Sequence, residues 1–123
     1  MILVVDDEQP VRAMIGSALR ELGYKVVEAD SGPAALTALA EAQPDLVILD
    51  YVMPGMDGAE TARAIAEVAP DLPVVFSTGH TALRALRDAA GDEASVLQKP
   101  FTLAELDALL SRTLGSTPRL SSV

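Results

Sequence analysis

An acidic pair, Asp6-Asp7, a further acid at Asp50, a hydroxyl at Thr78 and an ammonium at Lys99 are the side chains that could do chemistry together. Each stands at the end of a short run of strand-forming residues, and Lys99 is followed by Pro100. If the runs are parallel strands of one sheet, their ends share one edge and these groups converge there. Three carboxylates in one crevice repel one another, by roughly 4 kcal/mol for each pair about 4 Å apart at an effective dielectric near 20. One lysine cannot neutralise that, so a hard divalent cation is the natural solution. Carboxylate oxygens plus waters and a phosphate are the set that Mg²⁺ favours, and the lack of Cys or His ligands argues against zinc.

The chemistry such a set supports is phosphoryl transfer. Asp50 as nucleophile would attack phosphorus in line, while the metal and Lys99 hold charge on the equatorial oxygens and Thr78 donates a hydrogen bond. The product is an acyl phosphate with about two added negative charges, towards which Thr78 and Lys99 can move, and that is a switch. Each residue also has a plainer reading. Asp6 and Asp7 suit a helix N-terminus, Asp50 alone is a strand-end acid, Thr78 could merely end a strand, and Lys99 could be a solvated surface lysine. Gly79 after Thr78 leaves backbone room for a phosphate. Asp57 reads as a helix cap behind a Pro-Gly turn. His80, the one histidine, reads as an exposed loop residue opening a helix, or as a group tuning water attack on the phosphoryl. Tyr51 and Val52 flank the acceptor and could gate water.

The elements that must position these groups alternate. Strand-like runs cover Ile2 to Val5, Lys25 to Ala29, Leu46 to Leu49, Val74 to Ser77 and Ser95 to Leu97, and the first, third and fourth are nearly all apolar, as for strands covered on both faces. Helical periodicity lies between them. Val11, Ile15, Ala18, Leu19 and Leu22 share a face that Gly23 terminates. Ser31 caps a second helix with Ala35, Leu36 and Leu39 inward, ending by Pro44. Asp57 and Gly58 open a third with Ala62, Ile65 and Ala66 inward. An Ala-rich fourth runs from about Thr81 to Ala90. Thr102-Leu103-Ala104-Glu105 is a capping box opening a fifth that carries Leu106, Leu109 and Leu110. The expectation is an α/β fold, flavodoxin-like and doubly wound (βα)5, with a five-stranded parallel sheet in the order 2-1-3-4-5.

Composition bounds the rest. The 123 residues fit one domain, half are hydrophobic and 3% aromatic, so the core is aliphatic. No run is long enough for a membrane span, and Met1 to Asp7 lack the basic start of a signal peptide. With no cysteine, disulfides and thiolate metal sites are excluded, and the expected location is cytoplasmic. Eighteen acids against 9 bases give a net charge of −9, which disfavours direct nucleic-acid binding.

Ile2-Leu3-Val4-Val5-Asp6-Asp7-Glu8, Asp45-Leu46-Val47-Ile48-Leu49-Asp50, Met53-Pro54-Gly55-Met56-Asp57-Gly58, Ser77-Thr78-Gly79 and Gln98-Lys99-Pro100-Phe101, taken together and in this order, resemble the receiver domains of two-component response regulators. The resemblance spans about residues 1 to 115, with 116 to 123 as a flexible tail or linker stub. It implies that Asp50 is the phosphorylation site and that Asp7 binds Mg²⁺ directly and Asp6 largely through water. The backbone carbonyl of Val52 completes the protein ligands. Thr78 and Lys99 would contact the phosphoryl group, and Lys99-Pro100 would be cis. The implied donor is a histidine kinase or histidine phosphotransfer protein. Because the fourth helix is Ala-rich and weakly apolar, the face made by helix 4, strand 5 and helix 5 is the expected adaptable surface for an output partner, and the chain would be a signalling module that assists its own phosphotransfer and autodephosphorylation.

One departure matters: where the family carries Tyr or Phe three residues before the lysine, this chain has Val96. Pro73 to His80 partly resembles a subgroup of single-domain receivers with a different switch, and the chain is equally similar to receivers at the C-terminus of hybrid histidine kinases. Two rivals stay open at this point. A phosphohydrolase of the haloacid dehalogenase type would place Asp-x-Asp after strand 1, whereas here the run is Asp6-Asp7-Glu8. A non-phosphorylated scaffold would need a broken acidic pocket.

Overall fold

The computed structural model describes residues 1–79, 82–91 and 94–114. Strands and helices alternate throughout: β1 Ile2–Val5, α1 Gln9–Glu21, β2 Val26–Ala29, α2 Gly32–Ala42, β3 Leu46–Asp50, α3 Gly58–Val68, β4 Val74–Thr78, α4 Leu83–Ala90, β5 Ser95–Gln98 and α5 Leu103–Leu114. All pairings are parallel and the sheet order is β2-β1-β3-β4-β5, as the sequence predicts.

Alternation along the strands divides the core into two layers. Ile2, Val4, Leu46, Ile48, Val75 and Leu97 pack against Ile15 and Leu19 of α1 and Leu106, Leu109 and Leu110 of α5. Leu3, Val5, Val47, Leu49 and Phe76 pack on the other face, against Ala35 and Leu39 of α2, Ile65 of α3 and Leu86 of α4. Covered on both faces, β1 and β3 are buried at every residue, which is why their sequences do not alternate.

The helix ends follow local chemistry. Gly23, at φ 98°, lets the Tyr24 N–H reach the Leu19 carbonyl and its own N–H reach Arg20, closing α1. The Ser31 hydroxyl accepts from the Ala34 N–H at 3.2 Å, and Thr102 and Glu105 bond each other's backbone N–H at 3.1 Å. α2 ends at Ala42, with Gln43 in the left-handed region (φ 51°) before Pro44.

Several boundaries differ from the sequence reading. β2 starts at Val26, and Lys25 contributes only its carbonyl, to the Ile2 N–H. β3, β4 and β5 each run one residue further, so Asp50 and Thr78 end their strands rather than follow them. Ala66 is exposed, not inward: it shares a helical stripe with buried Ala59 and half-buried Ala62, and beside Ala66 that stripe borders an open cleft towards α4. α4 begins at Leu83; Thr81, like His80 and the tail 116–123, lies outside the described residues. Among the described residues no helix is long and apolar enough to cross a membrane.

Candidate functional site

The strand order reverses between β1 and β3, and the crevice at their carboxyl ends is where such sheets bind ligands. Asp6 and Asp7 follow β1 there, and Asp50 ends β3. Carboxylate oxygens of Asp6, Asp7 and Asp50 lie within 4.8 Å of one another. Asp6 and Asp50 are buried, at 1% and 5% exposure, while Asp7 is exposed and open to solvent.

Backbone donors hold the two buried acids. The Glu8 N–H donates to Asp6 Oδ1 at 2.9 Å, and the Val52 N–H donates to Asp50 Oδ1 at 3.3 Å. Lys99 reaches over both, its Nζ 3.2 Å from Asp6 Oδ2 and 3.5 Å from Asp50 Oδ1. The Lys99-Pro100 peptide is cis. Thr78 is buried and ends β4, and its carbonyl accepts the Lys99 N–H at 2.7 Å, so these two residues are joined across neighbouring strands. Among the described residues the Thr78 hydroxyl donates to the Gly79 carbonyl alone, at 3.4 Å, beyond the ordinary range for a hydroxyl donor and cheap to exchange. A Cβ on Gly79 would meet nothing within 4 Å, so the space beside it is open.

Electrostatics single out Asp50. Burial above all, then the neighbouring charge of Asp6, push its carboxyl up from 3.8 to about 6, with a smaller rise from Asp7. The Lys99 ammonium and the Val52 N–H pull the other way without cancelling the rise. The crevice is thus short of positive charge, and its all-oxygen donors suit a hard divalent cation better than a softer metal.

Sequence reasoning named Asp6, Asp7, Asp50 and Lys99, and the structure brings them together, with Thr78 on the adjoining strand. Val52 is 59% exposed beside the crevice. Asp57 caps α3 in a capping box with Glu60 and stands outside the acidic cluster. Val96, in β5, is half-buried against the α2–α3–α4 layer. Arg12 was missed. Its Nη1 donates to the Asp6 carbonyl at 2.8 Å and its Nε to Glu28 Oε1 at 3.2 Å, bracing the acidic turn against β2. Its position in the first turns of α1 is the one signal that sequence offers for this.

Comparison with known proteins agrees with this geometry. A family model for the response regulator receiver domain matches residues 2–111. The response regulator receiver protein CpdR of Brucella abortus is 41% identical over 106 residues, covering 85% of this chain and 88% of that protein. The phosphate regulon transcriptional regulatory protein PhoB of Pseudomonas aeruginosa is 36% identical over 94% of this chain, which spans only 52% of PhoB. The crystal structure of the receiver domain of NtrX from Brucella abortus superposes with a TM-score of 0.87 at 32% identity, covering 95% of this chain and 100% of that one. Motifs, strand order, acidic crevice and relatives agree, and the chain belongs to the receiver domains of two-component response regulators.

Proposed function

We propose that Asp50 accepts a phosphoryl group from the phosphohistidine of a histidine kinase or histidine phosphotransfer protein. Asp6, Asp7, Asp50 and the Val52 carbonyl would hold Mg²⁺, which when bound neutralises the carboxylates and the incoming phosphoryl oxygens. The observation that carries the reading is Lys99 Nζ set between the buried carboxylates of Asp6 and Asp50.

The chain's own residues account for the transfer. An Asp50 carboxylate oxygen attacks phosphorus, the P–N bond breaks, and its electron pair leaves with the donor imidazole, giving a mixed anhydride on Asp50. Lys99 passes from the carboxylates to a phosphoryl oxygen. Thr78 gives up its weak bond to Gly79 and donates to another. Water attack on the anhydride resets Asp50, and exposed Val52 borders the path by which it arrives. The unit is residues 1–115, a cytoplasmic signalling module rather than a dedicated enzyme. Its output partner binds the α4–β5–α5 face, with no direct nucleic-acid contact.

Incubation with acetyl phosphate and Mg²⁺, followed by intact mass, tests this. One phosphoryl adduct is expected, labile to hydroxylamine and absent from Asp50→Asn. No adduct, or one that persists in the variant, would overturn the assignment.

A further inference from the structure

Tyr51 follows Asp50 directly, and its side chain leaves the site for α4. The ring stands edge-on to Phe76 of β4, with centroids 6.1 Å apart and planes at 79°. The hydroxyl donates to the carbonyl of Ala85, inside α4, at 3.2 Å. The backbone around it is referenced to the acceptor. The Tyr51 N–H is fixed to the Ser77 carbonyl at 3.0 Å, and the next N–H, of Val52, bonds the Asp50 carboxylate itself at 3.3 Å. A change at that carboxylate therefore reaches the peptide that aims the Tyr51 ring.

α4 is lightly held. Its N-cap, Ala82, offers no side-chain bond, and Leu86 is its one buried side chain among the described residues. Between α3 and α4 lies an open cavity of about 250 Å³, bordered by Phe76 and by alanines that include Ala59, Ala62 and Ala89. A helix with one buried anchor among the described residues and an open cleft beside it has room for a second resting place, which a close-packed element lacks.

We infer that the Tyr51 hydroxyl tethers α4 in its resting position and that the state of Asp50 decides whether the tether holds. Tyr51 is then a positioning residue, and this assignment rests on the phosphoacceptor reading of Asp50. The tether suits a switch because breaking it strands nothing. The Ala85 carbonyl lies within a helical hydrogen-bond ladder, and the hydroxyl sits where water can replace its partner. A ligand moves an equilibrium only by its difference in free energy between two states. One long hydrogen bond supplies a bias of about threefold in population.

The test compares the full chain and Tyr51→Phe by amide NMR in Mg²⁺, with and without beryllofluoride as phosphoryl mimic. Phenylalanine keeps the ring against Phe76 and deletes only the hydroxyl. Before beryllofluoride is added, α4 amides of the variant should lie partway along the line joining the two wild-type endpoints. By linkage its beryllofluoride affinity should rise as well, by at most about threefold. Amides at the resting endpoint with unchanged affinity would overturn the tether, as would amides displaced off the line, which mean a frayed helix. Wild-type shifts at Asp6, Asp50 and Lys99 with none in α4 would also overturn it and leave the phosphoacceptor reading standing. No wild-type response anywhere would overturn both.

Discussion

Asp50 keeps its charge against burial and against Asp6. Its folded-state carboxyl titrates at about 6 instead of 3.8, so the folded protein binds that proton more tightly than the unfolded chain. Stability from this source is full below 3.8 and is lost as pH rises through about 6. Without divalent cations, Asp50→Asn should therefore be more stable than the parent near pH 7, by about 2 to 3 kcal/mol. Urea melts in a chelator across pH should show the gain vanish towards about pH 4, where the parent is protonated too. Lys99→Met acts oppositely. It leaves Asp6, 1% exposed, and Asp50 without their ammonium. It should destabilise by about 2 kcal/mol near neutrality, below the figure for a fully buried pair because Lys99 is partly exposed. The same melts check it, and the loss should shrink as acid protonates Asp50. The acids and lysine were legible in sequence because strand ends converge and residue type names the chemistry. The Glu8 and Val52 N–H donors and the Arg12 brace were not, since backbone donors have no residue signature and Arg12 acts across three elements.

The β3–α3 connection fixes the floor of the site, and two adjacent residues fix the connection. Asp57 caps α3 with its side chain 2.9 Å from the Glu60 N–H, and Asp57→Ala should cost about 1 kcal/mol in thermal or urea unfolding, with phosphorylation otherwise intact. Gly58 is a different case. A Cβ there would stand 2.6 Å from the Tyr51 Cα and 2.7 Å from the Asp50 carbonyl oxygen, both backbone atoms that cannot swing aside. Gly58→Ala should cost about 2 kcal/mol or more and slow acetyl phosphate labelling as well, because the displaced backbone carries Asp50, the proposed acceptor. Equal labelling rates in the two variants would show that the close approach does not position Asp50. At this scale the fold was legible where sequence is redundant. The nearly unbroken apolar runs of β1, β3 and β4 have no other use, and Ser31, Asp57 and Thr102 announce their helices. Ala66 misled because helical period assigns a face but not whether a neighbour covers it, and beside Ala66 the cleft towards α4 is open. The start of α4 was blurred because Ala82 supplies no capping side chain.

Across the whole molecule, a net charge of −9 is spread over the surface and concentrated where Asp6, Asp7 and Asp50 meet. Any added cation would relieve the first through screening, and only a bound one would relieve the second. Asp7 separates the two effects. It is exposed, so replacing it by Asn leaves the metal-free protein about as stable as before while removing a proposed ligand. Mg²⁺ at about 100 times its dissociation constant should raise the unfolding free energy by about 2.7 kcal/mol, some 10 °C in melting temperature for a domain of this size. Calorimetry at fixed ionic strength, with choline chloride replacing Mg²⁺, should show that rise in the parent and little of it in Asp7→Asn. A rise of equal size in both would mean that the cation acts on the diffuse charge, and the acidic crevice would then be a site of repulsion alone. A rise confined to the parent would place the metal in the crevice, where the order β2-β1-β3-β4-β5 sets the ends of β1 and β3 side by side.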